Sequence, residues 1–183
     1  MKKYFAVLIA AGAILQAADA PGMTVAKMYD SQLKSSEGEV VSLAEAMPAG
    51  KFDFKPSTSM GDFAKVRTFA EQAKHIAAVN YLVSAAVLGE KPPLDLGKGE
   101  NGPDDIKTKD AVVKFLKDSF AYAHKAMNTL TDKNQLDMVQ TPWGAQKSPR
   151  ASMANLAIWH PFDHYGQMVV YARMNGVVPP ASR

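Results

Sequence analysis

Apolar residues recur every three or four positions in four long stretches of the chain, which is the spacing of an amphipathic helix. The first stretch covers about residues 24–47, the second about 62–88, the third begins after Thr108 and the fourth after Ser148. No segment alternates apolar and polar residues for long enough to predict a convincing strand. The pattern therefore predicts an all-α fold, a four-helix bundle with mostly short connectors.

Capping and helix-breaking residues indicate where these helices begin and end. Gly38 predicts an irregularity in the first helix, and Gly89 predicts the end of the second. Thr108 is expected to cap the third helix. Ser148 is expected to cap the fourth, with Pro149 at its first helical position, because that pairing is favoured at helix starts.

The amino-terminal segment has the composition of a Sec-type export signal. Residues 1–3 form a short cationic start, residues 5–15 are apolar and uncharged, and residues 18–20 match the small-x-small cleavage pattern. The apolar run is too short to span a bilayer comfortably. We therefore expect a signal peptide over residues 1–20 and one mature domain over residues 21–183. An uncleaved amino-terminal anchor is the alternative.

Composition excludes several classes of function. The chain has 183 residues and no cysteine, so any metal site must use His, Asp, Glu or water, without thiolates or disulfides. The formal net charge of +3 is spread along the chain and gives no basic stripe for nucleic acid. With cleavage after Ala20, no stretch that could cross a membrane remains, and the protein is expected in the periplasm or outside the cell. The expected partner is a small-molecule substrate or ligand of unknown identity, and pairing into a homodimer stays open.

Three of the four histidines lie on apolar helical faces. His160 and His164 are four residues apart, which places both imidazoles on one face of the fourth helix. Two imidazoles need at least one more ligand to hold a transition metal. His75 lies near the middle of the second helix, where a bundle can bring it opposite the pair. Because three unpaired buried imidazoles are costly, we predict a metal site here. The alternative is three structural core histidines.

Polar neighbours of these histidines are candidates for supporting or catalytic roles. Glu71 precedes His75 by one turn and is either its hydrogen-bond acceptor or a solvated charge. Asp163 lies close to the face of the histidine pair and is a candidate partner or general base. Gln167, one turn after His164, is a candidate partner of a metal-bound water. Asp163 and Glu71 are therefore the candidate proton-transfer groups.

Pro161 and His124 also bear on the predicted site. Pro161 removes an amide donor inside the fourth helix, so it predicts a local kink and leaves the carbonyl of Ala157 without its usual partner. The kink either shapes the helix alone or directs His160 toward the metal. His124 is expected to be partly exposed at the edge of the third helix and outside the site.

The ordered set of motifs resembles the DinB-like superfamily, also called DinB/YfiT. The likeness rests on a histidine in the second helix, a distant His-x-x-x-His that runs into Gly-Gln, and a closing Arg-x-x-Gly-x-x-Pro-Pro. It covers essentially the whole mature chain. The residues concerned are His75, His160, His164, Gly166, Gln167, Arg173, Gly176, Pro179 and Pro180, with the connector 52–56 before the second helix.

The resemblance implies an up-down-down-up bundle and a divalent transition metal, usually zinc or nickel, bound by His75, His160 and His164. Members with known activity are mostly thiol-dependent transferases or isomerases. Low-molecular-weight thiols are cytosolic, whereas this chain is expected to be exported, so the resemblance alone does not transfer thiol dependence to it. We expect an exported metal-dependent hydrolase or group transferase. The alternative is a non-catalytic bundle that binds a metal or small ligand in the cell envelope.

Overall fold

The computed structural model of the protein describes residues 22–97 and 99–183, and four α-helices make up most of this part. The predicted export signal lies outside the described residues. A short antiparallel hairpin of two three-residue strands precedes the last helix. The elements are α1 (Val25–Ala46), α2 (Phe69–Leu88), α3 (Lys109–Met127), β1 (Met138–Gln140), β2 (Lys147–Pro149) and α4 (Arg150–Met174).

Polar contacts between α1 and α3 show that these two helices are antiparallel. His124, near the end of α3, contacts Asp30 near the start of α1. Lys117, closer to the start of α3, pairs with Glu45 at the end of α1. The chain therefore runs in opposite directions in α1 and α3.

The helices α2 and α3 are parallel. Asn80, in the middle of α2, donates to the hydroxyl of Ser119 at 3.3 Å. Farther along both elements, Lys125 donates to Glu90, just beyond the end of α2, at 3.2 Å. Parallel neighbours need a long connection between them, and residues 89–108 provide it.

The helices α2 and α4 are antiparallel, and this pair brings the predicted site together. His75 of α2 lies against His160 of α4, and Gln72, three residues earlier, bonds to Gln167, farther along α4. Each of α1 and α2 packs against both α3 and α4, so α1 and α2 are diagonal in the bundle. The directions give the up-down-down-up arrangement, and the predicted four-helix bundle is confirmed.

The core lies along the axis between the four helices. A buried Leu, Ile, Phe or Met side chain contributes about 1.5–3 kcal/mol relative to exposure. The connector before α2 adds Phe52, whose ring packs edge-on against Phe69 at 5.3 Å. The largest fully buried apolar side chains are Phe69, Phe120, Leu33, Leu43, Met47, Ile76, Leu116, Met127 and Met168.

The start of α2 differs from the sequence expectation, because the helix begins at Phe69 rather than near residue 62. Thr68 and Glu71 form a capping box: the Thr68 hydroxyl accepts from the amide of Glu71 at 3.2 Å, and the Glu71 carboxylate accepts from the amide of Thr68 at 2.7 Å. The amide of Phe69 donates to the carbonyl of Phe54. In a longer helix these amides would instead donate to helix carbonyls, so the bonds replace the hydrogen bonds that an earlier start would have provided.

Other boundaries agree in part. The caps at Thr108 and at Gly89, which has a φ of 73°, are confirmed. The predicted irregularity at Gly38 is wrong, because α1 runs through it without a break. The expectation of no strand is also wrong, although three-residue strands are too short to show an alternating pattern. Ser148 lies in β2, so Pro149 takes the capping position of α4 without a side-chain hydrogen bond.

Across the described ranges, none of the helices combines the length and the apolar composition that a membrane crossing requires.

Removal of the capping box should weaken the bundle measurably. We expect Thr68→Ala to lower the free energy of unfolding by about 1 kcal/mol, because the amide of Glu71 loses its acceptor. Urea denaturation followed by circular dichroism measures this. The matched control is Thr58→Ala in an exposed turn, for which a change within about 0.5 kcal/mol is expected. Equal losses in the two variants would show that the box does not stabilise α2.

Candidate metal centre

Three imidazole rings from α2 and α4 converge on one point. The Nε2 atom of His160 lies 3.2 Å from Nε2 of His75 and 3.1 Å from Nε2 of His164. The exposed fraction is 4% for His75 and 7% for His164, while His160 is half-buried. The structure thus brings together the three histidines that the sequence singled out, with one ligand atom of each within 4.8 Å of the others.

Hydrogen bonds to Nδ1 fix the orientation of two of these rings. Nδ1 of His75 donates to the carbonyl oxygen of Glu100 at 2.7 Å, and Nδ1 of His164 donates to Oε1 of Gln72 at 2.6 Å. The amide nitrogen of Gln72 in turn donates to Oε1 of Gln167 at 2.9 Å. Because a neutral imidazole carries one proton, Nε2 of both rings holds a lone pair directed at the common point.

The third ring is held differently. Nδ1 of His160 is buried and has no hydrogen-bond partner among the described residues. The helical backbone of α4 continues across Pro161, whose side chain is buried. The proline therefore leaves His160 and His164 one turn apart on the same face. His160 is oriented by packing against the other two rings, at centroid distances of 5.0 and 4.5 Å.

The spacing of the three Nε2 atoms fits a transition metal. Imidazole nitrogens bound at about 2.0–2.1 Å to one tetrahedral ion lie roughly 3.3 Å apart. The observed separations of 3.2 and 3.1 Å are close to this value. Lone pairs that face each other at this distance repel unless a cation or proton lies between them. An all-nitrogen set of this kind suits zinc, nickel, copper or iron.

Electrostatics keeps these rings neutral. Burial lowers the pKa of His160 to about 3, with further contributions from His164 and His75. Burial, followed by the proximity of His75, lowers the pKa of His164 to about 4. Burial also lowers the pKa of His75, although its bond to Glu100 opposes this. Neutral imidazoles are the protonation state that metal binding requires.

The candidate proton-transfer residues are not hydrogen-bonded to the histidines. Glu71 is exposed and its carboxylate serves the capping box, so the carbonyl of Glu100 takes the acceptor role on His75 that the sequence assigned to Glu71. Asp163 is exposed, and its negative charge acts to raise the pKa of His164 against the larger effect of burial. Asp163 is therefore near the centre without being bonded to it.

The remaining predicted neighbours occupy other positions. Gln167, expected to contact a metal-bound water, accepts from Gln72 instead. His124 lies between α1 and α3, where its ring nitrogens contact carboxylate oxygens of Asp30 at 2.6 Å and Glu37 at 3.1 Å. His124 is therefore not part of the three-histidine group.

Two supporting groups escaped the sequence analysis. Gln72 is only 2% exposed and lies on the apolar stripe of α2, three residues before His75. A polar residue at that spacing was a usable signal. Glu100 contributes a main-chain carbonyl from a loop, which no side-chain pattern reveals.

The metal-free protein should lose stability as pH falls. An ordinary histidine pKa is 6.5, whereas those of His160 and His164 are about 3 and 4, so below pH 6.5 the unfolded chain binds more protons than the folded one. The free energy of unfolding is therefore highest above pH 6.5 and declines as the pH falls toward 4. Thermal unfolding of chelator-treated protein between pH 7 and 5 measures this. A double variant, His160→Gln with His164→Gln, should show a shallower decline. An unchanged slope would contradict the assignment.

Loss of the Gln72 acceptor should weaken metal binding. We expect Gln72→Leu to reduce zinc affinity by about 10- to 100-fold, because His164 loses the bond that fixes its tautomer. Competition titration against a chromophoric chelator measures the affinity. The control, Gln167→Leu, removes only the outer bond and should cost less than about threefold. If Gln72→Leu binds zinc as tightly as the wild type, Gln72 does not position His164.

The chain is similar to one protein family and to solved structures with the same fold. The family model described as DinB superfamily matches residues 32–168, most of the chain. No match was found among curated proteins. A DinB-like protein from Bacillus cereus ATCC 10987 shares the fold, with a TM-score of 0.63, 13% identity, and coverage of 83% of this chain and 93% of that chain. A DinB-like protein from Bacillus subtilis has a TM-score of 0.60, 19% identity, and coverage of 81% and 92%. The chain belongs to the DinB superfamily.

Proposed function

We propose that His75, His160 and His164 hold a divalent transition metal, zinc or nickel, and that this centre performs hydrolysis or group transfer. The observation that carries the proposal is the convergence of three Nε2 atoms within bonding reach of one ion. Zinc and nickel are the metals that the family resemblance implies, and imidazole suits both. The substrate is a small molecule.

The residues around the centre would have distinct roles in the reaction. When bound, the metal would supply Lewis acidity and a nucleophilic water near neutral pH. Gln72 and the carbonyl of Glu100 keep two imidazoles in the tautomer that presents Nε2. Asp163, exposed beside His164, is the better-supported candidate for proton transfer. Glu71 is the weaker one, because its carboxylate is already bonded to the amide of Thr68.

A non-catalytic role is the second candidate. Within the described ranges, no carboxylate is hydrogen-bonded to His75, His160 or His164. General acid–base catalysis needs a proton-transfer group held within reach of the reacting proton, directly or through one water. Glu71 is bonded to Thr68 and Asp163 is exposed without a bond to any of the three histidines, which favours a bundle that binds a metal or small ligand in the cell envelope without turnover.

We also propose that the mature domain, residues 21–183, is exported to the periplasm or beyond. The support is the composition of residues 1–20, with a cationic start, an apolar run and a small-x-small site. Mass spectrometry of the protein recovered from the producing cells should find Pro21 as the first residue. A chain that retains Met1 throughout would contradict cleavage.

Metal content tests the ligand set. The wild type loaded with zinc or nickel should hold one ion per chain by elemental analysis. Alanine at His75, His160 or His164 should reduce affinity by at least about 100-fold, since each removes a direct ligand. The matched control is His124→Ala, which lies outside the centre and should keep full metal content. Undiminished metal in all three ligand variants would exclude this site.

A turnover assay distinguishes the metal-dependent enzyme from the non-catalytic bundle. The metal-loaded wild type is screened against panels of hydrolase and group-transfer substrates, with and without chelator. An enzyme is expected to show turnover that chelation abolishes and metal restores, and that His160→Ala lacks. Turnover that survives complete metal removal would contradict a metal-dependent mechanism. No turnover at full metal occupancy would favour the non-catalytic role.

A further inference from the structure

We propose that two copies of the chain form a symmetric dimer in which their α4 helices pack antiparallel, and Trp159 of each copy fills a hollow on the other. The inference does not depend on the proposed metal chemistry. It uses the exposed side of α4, which carries Trp159, whereas His164 is buried on the other side of the same helix.

Exposed apolar side chains form a stripe along the outer face of α4. The members are Trp159 at 52% exposed, Phe162 at 36%, Val170 at 53% and Met174 at 38%. Together with Gly166 they are spaced by three, four, four and four residues, so they lie one above another on one side of the helix. Single exposed apolar side chains are ordinary, but a contiguous patch indicates an interaction surface.

One end of this stripe borders a hollow of about 320 Å³. Val170 and Met174 form one wall, and Met60, Phe63 and Val66 of the connector before α2 form the other. None of the residues that line the hollow is charged. The hollow therefore suits an uncharged, largely apolar group, and its volume accommodates an indole ring.

The connector wall of the hollow is held in place by local bonds. The hydroxyl of Ser57 accepts from the amide of Ser59 at 3.2 Å and caps a short helical turn, Thr58–Met60. Gly61, which follows this turn, has a φ of 146°, and a Cβ atom there would lie 3.1 Å from the ring of Phe63. The glycine thus lets the chain fold back against that ring. The hollow is formed before any partner binds, which lowers the cost of association.

The spacing along α4 makes this face complementary to itself. Trp159 lies seven residues before Gly166, and Val170 and Met174 lie four and eight residues after it. At about 1.5 Å per residue, Trp159 is roughly 10 Å before Gly166 and the hollow is centred roughly 9 Å after it. In an antiparallel pair with its two-fold axis at Gly166, Trp159 of each copy lies over the hollow of the other.

Gly166 and Arg173 agree with this arrangement. A Cβ atom added to Gly166 would meet nothing within 4 Å, so the helix surface is open at the position of the axis. Two backbones can approach closely where no side chain intervenes. The exposed Arg173 lies seven residues after Gly166, which places it opposite Trp159 of the other copy. A guanidinium beside an indole ring is a favourable contact.

The size of the patch predicts a reversible dimer. Covering the exposed parts of the α4 stripe and of Met60, which is 62% exposed, would bury on the order of 400 Å² of apolar surface per chain. A polar rim surrounds the apolar core of an interface. With that rim the buried area approaches the roughly 800 Å² per partner of a standard interface. We therefore expect a dissociation constant in the micromolar range.

Analytical ultracentrifugation of the full protein across micromolar concentrations tests the inference. The wild type should pass from monomer to dimer as its concentration rises. Trp159→Ser should raise the dissociation constant at least about tenfold, because it removes the central aromatic contact. The matched control is Met28→Ser, which changes a 40% exposed apolar side chain on α1 and should shift the constant less than about twofold. A wild type that stays monomeric, or a Trp159→Ser variant that dimerises as tightly as the wild type, would overturn the inference.

Disulfide trapping tests the antiparallel arrangement and also serves if Trp159→Ser does not fold. The chain has no cysteine, so Gly166→Cys carries a single thiol at the proposed axis. Treatment with diamide should link two copies through residue 166 at least about tenfold faster than in Gly38→Cys, because the two thiols lie within the span of a disulfide. Gly38 is a matched control, since it is an exposed glycine inside α1 with open space around its Cβ position. Equal linking rates in the two variants would overturn the two-fold axis at Gly166.

Discussion

The structure depends on burying three imidazole rings whose Nε2 atoms meet at 3.1 and 3.2 Å. Desolvation of uncompensated polar groups is costly, and lone pairs that face one another add repulsion. The one proton of neutral His160 can bridge only a single pair of Nε2 atoms, and burial holds the pKa of His160 and of His164 far below neutrality, so no second proton is available near pH 7. A bound cation satisfies all three at once, which is the physical basis for the proposed metal centre.

The antiparallel packing of α2 and α4 makes this convergence feasible. A step of three residues back along α2, from His75 to Gln72, matches a step of three residues forward along α4, from His164 to Gln167. The same register therefore places the three histidines opposite one another and puts a glutamine pair behind His164. The loop that follows α2 adds the carbonyl of Glu100 on the other side. The bundle and this loop thus supply both the three histidines and the groups that orient two of them.

Sequence reasoning reached the bundle and the three histidines because both follow from helical periodicity. It placed the start of α2 near residue 62, which is too early, because the choice of Thr68 as the cap depends on its bond with Glu71 and on the connector carbonyls. The role of the Glu100 carbonyl depends on how a loop folds back, which no local pattern specifies. Polar residues on an apolar stripe, such as Gln72, are the signal that a closer reading can use.

The most direct test of the metal centre is anomalous diffraction at the zinc absorption edge from crystals of the zinc-loaded protein. The account predicts one strong peak per chain, about 2.0–2.1 Å from Nε2 of His75, His160 and His164. A fully occupied peak elsewhere, such as beside His124 and its two carboxylates, with no density between the three rings, would contradict it.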